Sequence, residues 1–261
     1  MDILSLKKRL RSLPIPEIRY FSEIGSTNDE ALEWVARGAP DGALVIADSQ
    51  SAGRGRFARR WVTRPGSALA FSLVLLPSVK EQAQLNLFSP LGALAVHRAI
   101  EHCCLLQSRI KWPNDILLSN RKVCGILAEA AWMGERLQGV VIGIGVNVAS
   151  HAINENDRYM FPATTIETET GREVDREELL FFILEELFKI RPILGTQEFF
   201  TEWEQNMAFM NEMVRVEQEG QPPVEGILVG IDSDGSLRLD SNEGKEIHVL
   251  VGDVHLRPAG I

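Results

Sequence analysis

Residues 140–148 read VVIGIGVNV, an apolar run of strand length that carries two glycines, Gly143 and Gly145. Because valine and isoleucine favour extended backbone, the run predicts a β-strand. Glycine weakens a strand unless another group must approach its backbone closely, although a bulge or tight sheet packing accounts for such glycines at least as often. The run therefore predicts a strand and leaves the purpose of its glycines open.

Predicted strands and helices alternate on both sides of this run. Apolar segments at 43–47 and 68–76 predict two more strands. Apolar residues at helical spacing predict helices over 85–106 and 176–190, and Asp175 is in place to cap the second of them. The main domain is therefore expected to be α+β or α/β.

The other segments before residue 213 are less regular. The basic lead at 1–16 has helical character, but Pro14 interrupts any continuing helix. Residues 151–173 are polar with little periodicity, which predicts a loop that crosses the surface. Residues 196–211 contain spaced aromatic side chains and predict one more helix.

After Met213 the chain changes to short β-like runs that are separated by turn signals. The DSDG turn at 232–235 shares acidic residues with a calcium loop, but the rest of that loop is missing, so a hairpin turn is favoured. The C-terminal part is therefore predicted to be a small β-barrel. Its predicted strands are 214–216, 226–231, 236–239 and 246–250.

A chain of 261 residues, 45% of them hydrophobic, can bury one substantial core and a smaller second one. We therefore predict a lead at 1–17, a main domain at 18–210 and a C-terminal domain at 211–261.

Charge and cysteine content argue against several classes of protein. The net charge of −9 argues against nucleic-acid binding through the overall field, so any contact with a polyanion must be local. The three cysteines suit neither a disulfide framework nor a zinc site. No stretch has the apolar length of a signal peptide or a membrane span. We expect a cytoplasmic protein with no membrane and no DNA partner.

The segment QSAGRGRFARRW at 50–61, the Arg-Gly segment, concentrates positive charge in this acidic chain. Glycines allow backbone amides to approach an anion, and guanidinium groups are bidentate donors to phosphate or carboxylate. The segment lacks the Lys-Ser or Lys-Thr pair of a phosphate loop and the third glycine of G-x-G-x-x-G. Taken alone, it suits a solvated basic loop equally well. The residues concerned are Gly53, Arg54, Gly55, Arg56, Arg59 and Arg60.

The segment KWPNDILLSNRKVCG at 111–125, the lysine hairpin, places a strand-like run before a turn at 119–120. A hairpin of this kind can hold Lys122 near a site, with Asp115 placed to orient a cation or an incoming amine. The alternative is that Asp115 only makes a turn and Lys122 is a solvent-facing charge. Cys124 is predicted to serve packing.

Ser26, Thr27 and Asn28 precede a helical pattern that begins near Asp29, which predicts an N-terminal helix cap. Small hydroxyl and amide side chains at a helix start can also bind an uncharged polar group. Capping is the favoured interpretation from these residues alone.

Five segments, in this order and spacing, resemble the biotin–protein ligase family, and the resemblance extends over roughly residues 18–190. The resemblance implies an α+β fold: a catalytic domain like that of class II aminoacyl-tRNA synthetases and a small C-terminal SH3-like β-barrel. With only 17 residues before the domain, it implies the monofunctional type without a winged-helix repressor domain. The family usually has glycine where this chain has Ala58. The segments are STN at 26–28, QSAGRGRFARRW at 50–61, KWPNDILL at 111–118, KVCGIL at 122–127 and IGIGVNV at 142–148.

The resemblance implies an enzyme that uses ATP and Mg²⁺ to activate biotin as biotinyl-5'-AMP and transfers it to a lysine of a biotin carboxyl carrier protein. It assigns Lys122 and Arg56 to the carboxylate and the phosphate, and Asp115 to the acceptor lysine; no metal ligand is assigned. The implied biotin contacts are Ser26, Thr27, Asn28, Gln50, Arg54, Gly55, Arg56, Lys122, Gly125 and Leu127. The implied ATP contacts are Gly53, Arg54, Arg56, Trp61, Lys111, Asn114, Lys122 and Asn147.

Two other functions stay open on the sequence. A lipoate or octanoate ligase shares the fold and the adenylate chemistry, although the GRGR sequence favours biotin. A non-enzymatic nucleic-acid-binding module would use the arginine cluster and the barrel, against the acidic balance of the chain. The sequence does not select the carrier protein, and it leaves open a homodimer formed through an exposed sheet edge.

Overall fold

The computed structural model describes residues 1–56, 59–61, 63–153, 161–218, 222–241, 244–249 and 254–258. The described residues form two sheets, one of seven strands and one of five. The strands are β1 Ile18–Phe21, β2 Leu44–Ala47, β3 Ala68–Leu75, β4 Arg109–Lys111, β5 Asp115–Leu118, β6 Arg121–Met133, β7 Arg136–Asn147, β8 Met213–Gln218, β9 Val224–Ile231, β10 Leu237–Asp240, β11 Glu246–Val249 and β12 Val254–Pro258. The helices are α1 Ile3–Leu10, α2 Thr27–Ala36, α3 Val79–Gln82, α4 Phe88–Cys104, α5 Ile166–Thr170, α6 Arg176–Ile190 and α7 Gln197–Gln205.

The seven-stranded sheet is mixed and has the order β1-β2-β3-β7-β6-β5-β4. Its first pair, β1 and β2, is parallel, whereas the other neighbours run antiparallel. The run at 140–148 is confirmed as a strand, since most of it belongs to β7, which begins earlier, at Arg136. This strand lies in the middle of the sheet, between β3 and β6.

Side chains of β7 alternate between two cores, as the period of two in a strand requires. Ile142 and Ile144 lie in the main core, which also contains residues of α4 and α6. Val141 lies in a smaller cluster with Trp34 of α2, on the opposite face of the sheet. By the same alternation Gly143 falls on the α2 face, where β7 has no side chain at this one position.

Two predicted helices form close to their predicted bounds: α4 lies within 85–106 without a side-chain cap, and α6 follows the cap predicted at Asp175. Asp175 accepts hydrogen bonds from the amides of Glu177 at 2.8 Å and Glu178 at 3.2 Å, and α6 spans the residues predicted for it. The helix predicted for 196–211 ends earlier, at Gln205. The chain leaves it because the Asn206 carbonyl accepts a hydrogen bond from the Ile110 amide at 2.8 Å.

The prediction of a loop over 151–173 is wrong in part, because α5 forms within it. Thr165 caps this helix by accepting from the Thr168 amide at 3.1 Å, and Gly171 ends it at a positive φ of 69°. Ile166 is the residue of α5 that is buried, so the segment carries no apolar period that would indicate a helix. Residues 154–160 of the predicted loop lie outside the described part of the chain.

The smaller sheet is antiparallel, with the order β11-β10-β9-β8-β12. The predicted β-like runs form its first four strands in chain order, whereas β12 was not predicted. The turn at 232–235 is confirmed as a hairpin turn: the Gly235 amide donates to the Asp232 carbonyl at 2.8 Å, and Gly235 has a φ of 82°. The buried indole of Trp112 donates to the Gly235 carbonyl at 2.9 Å, so this turn is docked on the lysine hairpin.

The three cysteines are free thiols. Cys124 is fully buried in the main core, where burial raises the pKa of its thiol above the ordinary value. Its predicted packing role is therefore confirmed. Separately, none of the helices in the described ranges combines the length and the apolar character needed to cross a membrane.

Candidate active site

A cavity of about 370 Å³ lies on the α2 face of the main sheet, between the Arg-Gly segment and the lysine hairpin. The structure brings together at this cavity all the residues predicted from the resemblance except Gly53. Those that line it are Ser26, Thr27, Asn28, Gln50, Arg54, Gly55, Arg56, Trp61, Lys111, Asn114, Asp115, Lys122, Gly125, Leu127 and Asn147.

The cavity lining is cationic although the whole chain carries a net charge of −9. One described lining residue, Asp115, is acidic, against six basic ones. Such an excess of positive charge around a partly enclosed space favours anionic ligands. The basic residues are Arg54, Arg56, Arg59, Arg60, Lys111 and Lys122.

The floor of the cavity is made of strand glycines. Gly125 of β6 lies directly opposite Gly145 of β7 in the sheet ladder. A Cβ atom added to Gly145 would lie 2.4 Å from the Trp61 ring, and one added to Gly143 would lie 1.9 Å from Asn28 Oδ1. The glycines therefore allow two side chains to rest on the sheet, which answers the question left open by the sequence.

The lysine hairpin forms as predicted. Ser119 and Asn120 both have positive φ, 49° and 57°, as a two-residue type I′ turn between antiparallel strands requires. Lys122 Nζ lies 2.6 Å from Asp115 Oδ1, and Lys111 Nζ lies 3.5 Å from Asp115 Oδ2. The alternative of a simple turn and a solvent-facing lysine is wrong, because both groups are held in one ion-pair cluster.

Asp115 is nearly enclosed, with 8% of its surface exposed. Burial by itself raises the pKa of its carboxyl, but the ammonium groups of Lys122 and Lys111 lower that pKa by more than burial raises it. The net pKa is therefore below the ordinary value. The carboxylate is therefore charged at neutral pH. The backbone of Lys122 is also fixed, because its amide donates to the Pro162 carbonyl at 2.7 Å.

The start of α2 both caps the helix and lines the cavity. Ser26 Oγ accepts from the Asp29 amide at 3.4 Å, so the predicted cap is confirmed. The amide and hydroxyl of Thr27 donate to Gln50 Oε1 at 2.7 and 3.0 Å. These side chains form a polar wall that the sequence suggested only as a second interpretation of the cap.

Glu129 of β6 contacts two residues of the cavity lining, Asn28 and Arg54, and was not predicted from the sequence. Arg54 donates to it through both terminal nitrogens, at 2.8 and 2.7 Å, and also contacts Asp29 at 2.7 Å. Burial alone would lower the pKa of Arg54, but the bond and charge of Glu129 and Asp29 give a net rise. Asn28 Nδ2 donates to the same carboxylate at 2.8 Å. Because Arg54 and Glu129 are distant in sequence, no local pattern indicates their pairing.

Gly53 was predicted to contact ATP, but the structure places it away from the cavity lining. Its carbonyl accepts from the Trp61 amide at 2.8 Å, and an added Cβ would lie 2.5 Å from the Trp61 carbonyl oxygen. It therefore shapes the Arg-Gly segment. Ala58 lies outside the described residues. Lining residues that were not assigned from the sequence are Arg59, Arg60, Pro113, Ile126, Gly143, Ile144, Gly145, Ala152, Phe161 and Ala163.

The sequence and the fold match those of a known family. The profile of the Biotin/lipoate A/B protein ligase family matches residues 20–147, and that of the Biotin protein ligase C terminal domain matches residues 209–257. The chain belongs to the biotin/lipoate A/B protein ligase family.

Within the family, the chain is similar to biotin ligases. It is 36% identical to the biotin–[acetyl-CoA-carboxylase] ligase of Paracoccus denitrificans, over 85% of this chain and 93% of that one. It is 35% identical to the bifunctional ligase/repressor BirA of Bacillus subtilis, over 86% of this chain and 70% of that one. The biotin protein ligase of Aquifex aeolicus in complex with biotin and ATP superposes with a TM-score of 0.81 at 30% identity, covering 94% of this chain and all of that one. The expected family and α+β fold are confirmed.

Proposed function

We propose that this protein uses ATP to convert biotin into biotinyl-5'-AMP and transfers the biotinyl group to a lysine of a biotin carboxyl carrier protein. The similarity to the Paracoccus ligase over nearly its whole length supports this choice, as does the likeness to a structure that contains biotin and ATP. The observation that carries the proposal is the ion-pair cluster of Lys111, Asp115 and Lys122, in which Lys111 and Asp115 are buried and which shares a cavity with Arg56.

In the first half-reaction a carboxylate oxygen of biotin attacks the α-phosphorus of ATP, and the bond from that phosphorus to the β-phosphate breaks, so pyrophosphate leaves. Two anions must approach each other, which requires fixed positive charge between them. We assign this role to Lys122 and Arg56. Because Asp115 and the strand backbone hold Lys122, its charge is in place before the substrates bind.

Biotin is assigned to the part of the cavity next to α2. Ser26, Thr27 and Gln50 offer polar groups for its ureido ring, and Gly125 and Leu127 form the adjoining wall. ATP is assigned to the other part of the cavity, against Trp61, Lys111, Asn114 and Asn147. The backbone at Gly55 is assigned to shape the Arg-Gly segment beside it.

In the second half-reaction the neutral amine of the carrier lysine attacks the acyl carbon of the adenylate. The bond from that carbon to the phosphate oxygen breaks, AMP leaves, and the nitrogen gives up one proton as the amide forms. We assign Asp115 to orient this amine, as the sequence resemblance implied. Enclosure of the adenylate matters because water would hydrolyse the mixed anhydride.

Mg²⁺ is proposed to enter with the triphosphate of ATP as part of that substrate. Among the described residues, no three histidine, cysteine, aspartate or glutamate side chains are grouped to hold a metal ion. Asp115 is already paired with two lysines, so the protein side of the cavity does not fit a metal of its own. Magnesium commonly keeps several waters and binds through substrate phosphates.

A cytoplasmic location without a DNA partner is also proposed, because the three thiols are free and the chain is acidic. A homodimer through an exposed sheet edge stays a prediction.

The test is to incubate the purified protein with ATP, Mg²⁺ and a biotin carboxyl carrier domain, supply either biotin or lipoate, and measure the intact mass of the carrier. We expect a mass increase that corresponds to biotin and requires ATP. Modification with lipoate alone would move the function to the sister activity. No modification with either acid, together with salt-dependent DNA binding, would support the nucleic-acid-binding alternative.

A further inference from the structure

The carboxylate of Glu129 joins two separate parts of the chain. It accepts hydrogen bonds from Arg54 at 2.8 and 2.7 Å and from Asn28 at 2.8 Å. Its backbone is held in β6, opposite Val141 of β7. A bidentate pair between a guanidinium and a carboxylate fixes orientation as well as distance, so Arg54 is held against a rigid strand.

Arg54 stands at the base of the Arg-Gly segment. It forms an isolated bridge with Arg60, and the Gly55 amide next to it donates to the Arg59 carbonyl at 2.7 Å. Gly55 and Arg56, the next two residues, line the cavity. Fixing Arg54 therefore also fixes the position of the backbone at Arg56.

Asn28 completes the connection from the side of α2. Its Nδ2 donates to the Leu127 carbonyl at 3.2 Å as well as to Glu129, and its Oδ1 lies 2.6 Å from Ser72 Oγ. Asn28 is 4% exposed, and both polar atoms of its side chain form hydrogen bonds within the protein. Its hydrogen bonds thus serve to hold the site together.

We propose that Glu129 is a positioning residue that fixes the Arg-Gly segment to the first turn of α2 and thereby places Arg56 over the cavity. The inference rests on the proposed biotin-activating function. The proposal reassigns two residues to a supporting role. The resemblance implied that Asn28 contacts biotin and that Arg54 contacts biotin and ATP, and both are now assigned to hold the residues that contact the ligands. Glu129 acts through Arg54 and does not belong to the described lining of the cavity.

The substitution Glu129→Gln preserves size but removes the charge and one acceptor oxygen. Arg56 is still present, and part of the free energy of binding must now order the segment that carries it. We therefore expect the KM for biotin to rise about tenfold, as for the loss of a charge-assisted pair, while kcat changes less than about twofold because Arg56 is in place once the substrates are bound. Hydrogen exchange in the peptide that covers residues 50–61, measured without substrates, should accelerate because the part of the segment beyond Ala52 loses its attachment to β6, while the amides of Ser51 and Ala52 keep their bonds to Ile24 and Gly25. Glu135→Gln, an exposed position on the same β6–β7 hairpin, is the matched control and should change neither quantity.

Arg54→Gln removes the other partner and should give the same rise in KM and the same faster exchange. If both residues act through one contact, the double variant Glu129→Gln/Arg54→Gln should be worse than either single variant by less than about threefold. Multiplied effects would mean that the two residues act independently, which would overturn the proposal.

Unchanged KM and unchanged exchange in Glu129→Gln would also overturn it, even if the thermal unfolding midpoint fell, because the residue would then serve stability alone. If Glu129→Gln does not fold, Glu129→Asp and Arg54→Gln take its place in the same measurements. The exchange experiment needs no substrate. It therefore still judges the attachment if the wild-type protein fails to biotinylate a carrier, a result that would count against the proposed function only.

Discussion

The lysine hairpin and the Arg-Gly segment face each other across the cavity, and they are held in different ways. In the hairpin, Lys111 and Asp115 are 7% and 8% exposed and lie in strands whose backbone hydrogen bonds continue into the sheet. The Arg-Gly segment is held by backbone at its start, where the amides of Ser51 and Ala52 donate to the carbonyls of Ile24 and Gly25. Beyond Ala52 its described backbone hydrogen bonds join residues of the segment itself, and Arg54 links it to the sheet through a side chain. The hairpin thus presents charge that is already organised, whereas the placement of the part of the segment that carries Arg56 depends on side-chain contacts. Substitutions in the hairpin should therefore affect chemistry and stability, and those acting through the segment should affect binding.

The largest effect is expected for Lys122→Ala on the hairpin side. Removing one preorganised cation that stabilises developing charge should slow pyrophosphate release by about 10³, or roughly 4 kcal/mol. Biotin affinity, measured by calorimetry without ATP, should change much less. Lys80→Ala, at an exposed lysine outside the cavity, is the control. A near-normal rate in Lys122→Ala would remove the distinction between the two sides.

Asp115→Asn should have the next largest effect, on stability. It leaves two ammonium groups without their buried partner, and breaking such a pair costs about 3 kcal/mol. The folded pKa of Asp115 lies below its ordinary value, so the stabilisation should be complete above about pH 4 and decline as the pH falls further. Urea unfolding should show a constant gap between wild type and variant from about pH 7 to 5, which narrows below about pH 4. Asp240→Asn, an exposed position, should show no gap. A gap that widens in acid would contradict the ion-pair account.

Local sequence patterns predicted the helices and turns that depend on neighbouring residues. The helix at 176–190 was predicted with its bounds because Asp175 caps it, and the type I′ turn at 119–120 set the lysine hairpin. The short helix α5 escaped prediction because it depends on a threonine cap and buries little. The residues of the candidate site came from the family resemblance, not from any periodicity.

Contacts between distant segments could not be predicted from the sequence. Glu129 stands in an apolar strand segment, and nothing near it indicates that its partners are Asn28 and Arg54. The purpose of Gly143 was equally hidden, because the side chain that occupies its space comes from α2. The resemblance thus identified many of the groups that line the cavity, and the fold was needed to find the others and to show which side chains hold their neighbours in place.

Gly143→Ala tests whether a change in the glycine floor of the cavity alters the Arg-Gly segment through Asn28 and Glu129. The added Cβ would lie 1.9 Å from Asn28 Oδ1, so Asn28 must move and its bond to Glu129 must weaken. We expect a loss of about 2 kcal/mol in stability, typical of overpacking, together with a raised KM for biotin. Gly25→Ala is the control, since a Cβ there meets no atom within 4 Å. A loss of kcat with unchanged KM would assign the floor to the hairpin side instead.

The smallest effect is expected for Trp112→Phe, which tests how far the order of the lysine hairpin depends on the small sheet. The substitution removes the hydrogen bond from the indole to the Gly235 carbonyl, at 2.9 Å. A buried neutral hydrogen bond contributes about 1 kcal/mol, so the thermal midpoint should fall by roughly 2–4 °C. Because β-strand pairing also holds Lys111 opposite Asp115, kcat and the KM for ATP should stay within about twofold. Trp132→Phe, at an indole that is 55% exposed, should leave the midpoint unchanged. If Trp112→Phe instead raised the KM for ATP well beyond twofold, the order of the lysine hairpin would depend on the docked turn. Both sides of the cavity would then depend on side-chain attachments.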